Sequence, residues 1–322
     1  MISSLIRAFN AFNALFISFT QRVSPLAGYN ISSIAYSNGK FIGLAYNGSI
    51  HKTVVSTDGI TWTEGTTLTV FSNTTKVDKI VFGNGIFVAY QNAAYGSSAI
   101  TVASSTDGIT WTKRTTVFTS SSNSDSIYNL IFEKGIFMFI GHTGSNITPR
   151  IVTSTNGTTW TARTTGLAAG DEIKSVAYGN NMFVVTIMNR ATLTSTDGIT
   201  WTKRTFPYQS DGNLSIGCFI NNTFVIISTY YKAFTSSDGI NWTQTITTYP
   251  GYYPSIHSVN NLLYLNAYNH PLRIIYVSTN GLDWNILPTS FTVQRFDSIV
   301  YGNGLYVASS GQEIGTSTSG IN

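Results

Sequence analysis

The residues of this chain able to do acid–base or nucleophilic chemistry are few, and their spacing decides what they could do. Glutamate occurs only as Glu64, Glu133, Glu172 and Glu313, and four of the ten aspartates, Asp58, Asp107, Asp197 and Asp238, recur inside one short motif. Glycoside hydrolysis needs two carboxyl groups roughly 5–10 Å apart. The pairings the sequence leaves open for that work are Glu172 with Asp171 and Glu172 with Asp297. The four histidines, His51, His142, His257 and His270, show no metal-ligand spacing, so neither a metal nor a cofactor is expected. Cys218 is the lone cysteine and lies in the apolar run SIGCFI. It reads as a small buried residue rather than a reactive thiol.

Composition narrows the class. The 322 residues suffice for one large all-β domain or two smaller ones, and 42% of them are hydrophobic, which makes a globular chain. Only 10% are charged, against about 25% in an average soluble protein. Thr, Ser, Asn, Gly and Tyr fill the difference, a balance common among secreted and virion proteins. The formal charge of +4 is spread along the chain without a basic run. A dedicated nucleic-acid binder clusters its Lys and Arg, so nucleic acid is not an expected partner.

The elements that must position these residues follow from an internal repeat. All six tryptophans close one pattern, S-x-[D/N]-G-x-x-W, at Trp62, Trp111, Trp160, Trp201, Trp242 and Trp284, spaced by 49, 49, 41, 41 and 42 residues. Before each motif lies a hairpin signal such as IVFGNGIFVAY, and a seventh copy, IVYGNGLYVAS, leads into STSGIN. Each repeat therefore reads as four short strands, two around a Gly/Asn turn and two around the D-G or N-G turn. Four strands every 40–50 residues, seven times over, predict a seven-bladed β-propeller over residues 17–322. Near the start, ISFTQR at Ile17–Arg22 matches ITWTKR at Ile109–Arg114, with Phe19 in the tryptophan's place, 43 residues before Trp62. The first strand should then complete the last blade and close the ring, leaving no free sheet edge.

The motif resembles the Asp-box of sialidase-like and BNR-repeat proteins, S-x-D-x-G-x-x-W, here one residue shorter because Asp directly precedes Gly. In this form, preceded by Y-G-N-G-x-F-V, it is similar to propeller repeats of bacteriophage structural proteins and bacterial surface proteins. The resemblance covers nearly the whole chain and implies the propeller fold. Sialidases carry an F/Y-R-I-P motif and an arginine triad, and this chain has no such motif. Arg22, Arg114, Arg163 and Arg204 all stand three residues after the repeat aromatic, which assigns them a shared structural role.

Turns between first and second, and third and fourth, strands emerge on one face and are uniform. The other face carries the loops of individual length, where binding usually resides. The richest of these, TTYPGYYPS, holds Tyr249, Tyr252 and Tyr253, with Tyr208, Tyr268 and His270 near it in the repeat scheme. Such tyrosines suit a protein partner, a glycan or a host-surface receptor, or they simply cover blade edges. Ahead of the propeller, residues 1–16 place Ile2, Leu5, Ile6, Phe9 and Phe16 at helical spacing. The alternatives there are a docking helix for another virion or surface protein, a signal peptide, and a cap on the propeller; the stretch is too short and polar to span a membrane. The function expected is a non-enzymatic interaction module, first a virion component decorating a capsid or tail or binding a host surface. A secreted or cell-surface lectin-like binder comes second, and a sialidase-like glycoside hydrolase third.

Overall fold

A four-residue turn sets the architecture. In a computed structural model of the chain, the Ser56 hydroxyl donates to Asp58 Oδ1 (2.9 Å), and the Gly59 amide donates to Ser56 Oγ (2.8 Å). Asp58 Oδ1 also accepts the Ile60 and Thr61 amides at 2.8 and 2.7 Å. The same bonds recur around Asp107, Asn156, Asp197, Asp238 and Asn280. One side chain thus satisfies the amides of a tight turn that could not pair in a ladder. Gly59 is required twice over. Its φ is +74°, and a Cβ would lie 2.8 Å from Val307 Cγ2 of the neighbouring sheet.

The structure describes residues 19–72, 75–93, 100–116, 118, 125–188, 191–207, 214–228, 232–245, 252–269, 272–287, 289, 291–292 and 295–318. These form strands only, with no helix among the described residues. The chain opens with β1 (Thr20–Arg22). Blade one is β2 (Asn30–Ser37), β3 (Lys40–Tyr46), β4 (His51–Ser56) and β5 (Thr63–Thr67). Blade two is β6 (Lys79–Gly83), β7 (Ile86–Gln91), β8 (Thr101–Ser105) and β9 (Thr112–Arg114). Blade three is β10 (Ser126–Glu133), β11 (Ile136–Thr143), β12 (Thr148–Ser154) and β13 (Thr161–Arg163). Blade four is β14 (Ile173–Gly179), β15 (Met182–Ile187), β16 (Ala191–Ser195) and β17 (Thr202–Thr205). Blade five is β18 (Leu214–Ile220), β19 (Thr223–Ser228), β20 (Ala233–Ser236) and β21 (Thr243–Thr245). Blade six is β22 (Tyr252–Val259), β23 (Leu262–Asn269), β24 (Leu272–Ser278) and β25 (Asn285–Ile286). Blade seven is β26 (Ser298–Gly302), β27 (Leu305–Ser310) and β28 (Glu313–Ser317), completed by β1.

The ring closes as the sequence predicts. Thr20 pairs with Thr316 and Arg22 with Ile314, antiparallel, so the first strand is the outer strand of the last blade. Phe19 is 2% exposed, its ring centroid 5.1 Å from that of Phe296 and 6.2 Å from that of Phe291. Trp62, Trp111, Trp242 and Trp284 are each 7% exposed, and Trp160 and Trp201 are half-buried against the cores of blades three and four. The four repeat arginines hold the third strand. Arg22 Nε donates to Thr316 Oγ1 (2.8 Å), and Arg114, Arg163 and Arg204 donate to Ser104, Thr153 and Thr194 at 2.7, 2.6 and 3.2 Å.

Between blades, the uniform face is stitched by asparagines. Asn84, Asn180, Asn221 and Asn303 sit at the first hairpin turn with φ near +44 to +50°. Asn84 Nδ2 donates to the carbonyls of Gly135 (2.9 Å) and Thr155 (2.8 Å), both in the next blade. Asn180, Asn221 and Asn303 likewise reach Ser237, Thr279 and Thr57. Lys134 replaces the asparagine in blade three, and its ammonium takes the equivalent carbonyl of Thr196 (2.8 Å). A second device is steric. Gly83, Gly179 and Gly302 have ordinary φ, and a Cβ on each would fall inside the ring of Phe132, Phe219 and Tyr36 from the next blade.

Two substitutions test this frame. Phe19→Ala should cost about 3–5 kcal/mol in denaturant unfolding, the cost of emptying a buried aromatic site; a loss below about 1 kcal/mol would mean the closing strand contributes little. Asn84→Ala removes two bonds at one blade junction and should cost roughly 1–3 kcal/mol, whereas no measurable loss would remove the stitch from the account.

Candidate functional site

The inner strands β2, β6, β10, β14, β18, β22 and β26 surround a central channel of about 1180 Å³. Near their ends at the uniform face, Tyr36, Phe82, Phe132, Tyr178 and Phe219 line the channel, with Ser258 at this position in blade six; Tyr301 holds the equivalent position on β26 and is exposed. Five of these strands, β2, β10, β14, β18 and β22, carry a β-bulge near the opposite mouth. Just beyond the bulge position, backbone amides turn toward the preceding blade. The Ile80 amide donates to Ser33 Oγ (3.1 Å), the Ile34 amide to Ser298 Oγ (3.0 Å) and the Gly217 amide to Ser175 Oγ (2.7 Å). Serine side chains therefore stitch three of the blade junctions along the channel wall.

Two residues put a basic side chain into inner-strand columns that hold none elsewhere. Lys79 stands where blades one, four, six and seven carry Ser33, Ser175, Ser255 and Ser298, with Asn129 in blade three and Ile216 in blade five. Its Nζ donates to Asn129 Oδ1 (2.8 Å), and burial lowers its pKa to about 8. His257 stands where the other blades carry Ala35, Val81, Ile131, Ala177, Cys218 and Val300. Its Nε2–H donates to the Phe296 carbonyl (3.2 Å), and Asn266 clamps the same residue through Phe296 N and O at 2.7 Å each. Burial, reinforced by the Lys79 ammonium, lowers the imidazole's pKa to about 4 against the opposing pull of the Phe296 carbonyl and Asp297.

Other charges gather at the variable-loop mouth, where the inner strands begin. Lys76, Lys174, Arg273 and Arg295 line it, with Asp78 and Asp297 among them. Both aspartates serve the backbone: Asp78 Oδ2 accepts the Asn92 amide (2.6 Å) and Asp297 Oδ2 the Gly311 amide (2.7 Å). Asp297 also pairs with Arg295 at 3.0 Å. Of the acids open to a hydrolase, Asp171 and Glu172 stay together and each is engaged by a lysine, and Asp297 lies in another blade. Asp171 pairs with Lys203 (2.9 Å) and Glu172 with Lys174 (2.5 Å) before β14, while Asp297 precedes β26. The Tyr128 hydroxyl meets His142 Nδ1 (2.7 Å) and Glu172 Oε1 (3.3 Å), and burial with the Glu172 charge raises its pKa, against what a phenolate nucleophile needs. Cys218 is buried, which pushes its thiol up to about 12. Among the described residues, no group of three or more His, Cys, Asp or Glu could hold a metal ion, and no helix is long and apolar enough to cross a membrane.

Of the tyrosines singled out in the sequence, Tyr252 and Tyr253 lie on β22, and Tyr252 is the register partner of Tyr268 on β23. Tyr208, Tyr249 and His270 lie outside the described residues, as do Ile2, Leu5, Ile6, Phe9 and Phe16. Sequence reading missed Lys79 and His257. The signal was available in the aligned inner-strand columns, where one cation replaces a serine and one imidazole an aliphatic residue.

The fold and its channel define a seven-bladed propeller with a polar, charged mouth on the face of individual loops. A family model for the DUF6242 beta propeller domain matches residues 105–214. Among curated proteins, none matches the sequence. A catalytically inactive variant of virginiamycin B lyase from Staphylococcus aureus, solved with quinupristin, superposes with a TM-score of 0.67 at 14% identity, over 92% of this chain and 98% of that one. YCF48 bound to D1 peptide gives 0.63 at 14% identity, over 94% and 96%. A GH74 enzyme from Niastella koreensis gives 0.52 at 14% identity, over 91% of this chain and 69% of that one. At such identities the likeness is one of fold, and that fold houses both enzymes and a peptide-bound protein.

The shifted imidazole makes stability depend on pH. His257 has a native pKa of about 4, below the ordinary 6.5, so the unfolded chain takes up the proton first as pH falls. Its contribution is complete above pH 6.5 and is lost between there and pH 4. Asp58 and Asp197, held at about 2 chiefly by the backbone amides of their turns, act in a lower window, below pH 3.8. Between pH 7 and 4.5 the wild type should lose roughly 2–3 kcal/mol more than His257→Gln in denaturant titrations. Parallel losses in the two proteins would place the imidazole in water.

Proposed function

We propose that this protein is a non-enzymatic binding module that receives an extended segment of another protein at the variable-loop mouth of its channel. The observation that carries this reading is the break in the repeat at that mouth: Lys79 and His257 depart from structural columns and face the cavity. The repeat arginines and motif acids, by contrast, are occupied in cross-strand and turn bonds. The peptide held by YCF48, a protein of the same fold, supports a peptide as the ligand. The phage-like form of the repeat supports a virion as the setting, with capsid or tail decoration or host-surface binding as the task; a secreted or cell-surface binder is the second setting. In this reading residues 1–16 are the attachment segment and residues 17–322 present the mouth.

The test is a displayed peptide library selected on the immobilised full chain, followed by hydrogen-exchange mapping of the enriched peptides. Protection should fall on the starts of β6, β22 and β26. Protection confined to the turns around Asn84 and Gly135, or no enrichment over denatured protein, would contradict the proposal.

A further inference from the structure

The charge balance of the mouth points to the chemistry of what it holds. Lys76, Lys79, Lys174, Arg273 and Arg295 line the channel against Asp78, Glu133 and Asp297. Lys174 is paired with Glu172, and Asp78 and Asp297 are each anchored to a backbone amide. Among the described residues Lys79 forms no ion pair. An ammonium carries three donors, and Lys79 uses one, toward Asn129 Oδ1 at 2.8 Å.

That placement changes how the wall is bonded. Asn129 Oδ1 accepts its own neighbour's amide, Leu130, at 2.9 Å, so the blade two to blade three junction lacks the serine bond found at the other stitched junctions. A cation installed where a hydroxyl would satisfy the wall is a local rule broken at a cavity, which is where functional sites are found. Across the channel His257 lies close enough to feel the Lys79 charge, and Asp297, Arg295 and Lys76 continue the cluster from there, with Lys76 Nζ 3.9 Å and Arg295 Nη2 3.0 Å from Asp297 Oδ1. An anion entering the mouth meets two unused N–H donors in a partly desolvated wall, where a charge-assisted hydrogen bond is strongest.

We propose that Lys79 is the anchor of this site and binds a carboxylate of the incoming peptide, from an acidic side chain or a free C terminus. The inference rests on the peptide-binding reading above, and its test separates the two. In the full chain with isotope-labelled lysines, assigned by Lys79→Arg, glutarate is titrated while the Lys79 ε resonances are followed. Without glutarate Lys79 should titrate near pH 8; with it, the pKa should rise by about one unit, since a bound anion favours the charged amine. The neighbouring groups followed alongside are Asp78 and His257.

The second arm uses the peptides selected at the mouth, each with a free and an amidated C terminus and with Glu exchanged for Gln. Lys79→Ser restores the column's serine and should keep the melting temperature while weakening the acidic peptides about tenfold or more. Loss on amidation assigns the C terminus, and loss on Glu→Gln assigns the side chain; either supports the anchor. Peptides that bind the mouth equally well in all forms and ignore Lys79→Ser overturn the anchor and leave the binding module standing. A glutarate response with no peptide selected at the mouth supports the carboxylate site and overturns the peptide reading. Neither response overturns both.

Discussion

A ring of seven sheets tolerates no gap, so the contact between one blade and the next is the interaction on which everything else here rests. Each junction has to span the same small angle whatever the side chains involved. The chain meets this with devices at both ends of the inner strands. On the uniform face, Asn84, Asn180, Asn221 and Asn303 carry hydrogen bonds into the next blade's backbone, and Gly83, Gly179 and Gly302 let the next blade's aromatic ring lie directly on the chain. Toward the other mouth, Ser33, Ser175 and Ser298 accept amides from the next blade. The junction of blade seven with blade one carries these same devices, with Asn303 reaching Thr57 and the Ile34 amide reaching Ser298. Closure then needs only an outer strand, which β1 supplies.

These constraints bear on the composition. The uncharged polar content is in keeping with them: turn amides, stitch asparagines and wall serines bond backbone groups without bringing in charge. Buried serines and threonines such as Thr53, Ser104, Thr153 and Thr194 receive bonds from the outer strand or its arginines. The variable-loop mouth is therefore distinctive less for being charged than for holding a charge with unfilled hydrogen-bonding capacity. Lys79 is the point at which the repeat stops serving the ring.

The sequence made the blades legible because their determinants are local. A serine, an acid or amide and a glycine within four residues specify a turn through their own hydrogen bonds, and Phe19 matches Trp111 by its neighbours alone. The roles of Gly83 and Asn84 were not legible in the same way. In the sequence both belong to a hairpin turn, and their second role depends on Phe132, Gly135 and Thr155, which only ring closure brings near. Lys79 and His257 escaped for a related reason: a single polar residue on an inner strand acquires meaning only against its column in the other six blades. The loop tyrosines are conspicuous because aromatic, proline-rich loops stand out in one dimension. Of these, register places Tyr252 opposite Tyr268 at the start of blade six, on the same face as the charged mouth.

Closure of the ring by β1 is the central claim, and native-state hydrogen exchange measures it most directly. The amides of β1 and β28 should exchange no faster than those of β9 and β13 and their partners, the outer strands supplied by the continuous chain, because β1 pairs with β28 antiparallel over three residues as β9 and β13 pair with their own third strands. Exchange of β1 through an independent local opening, with β9 and β13 still protected, would show that the ring is held by its other six blades and that the closing strand is an accessory.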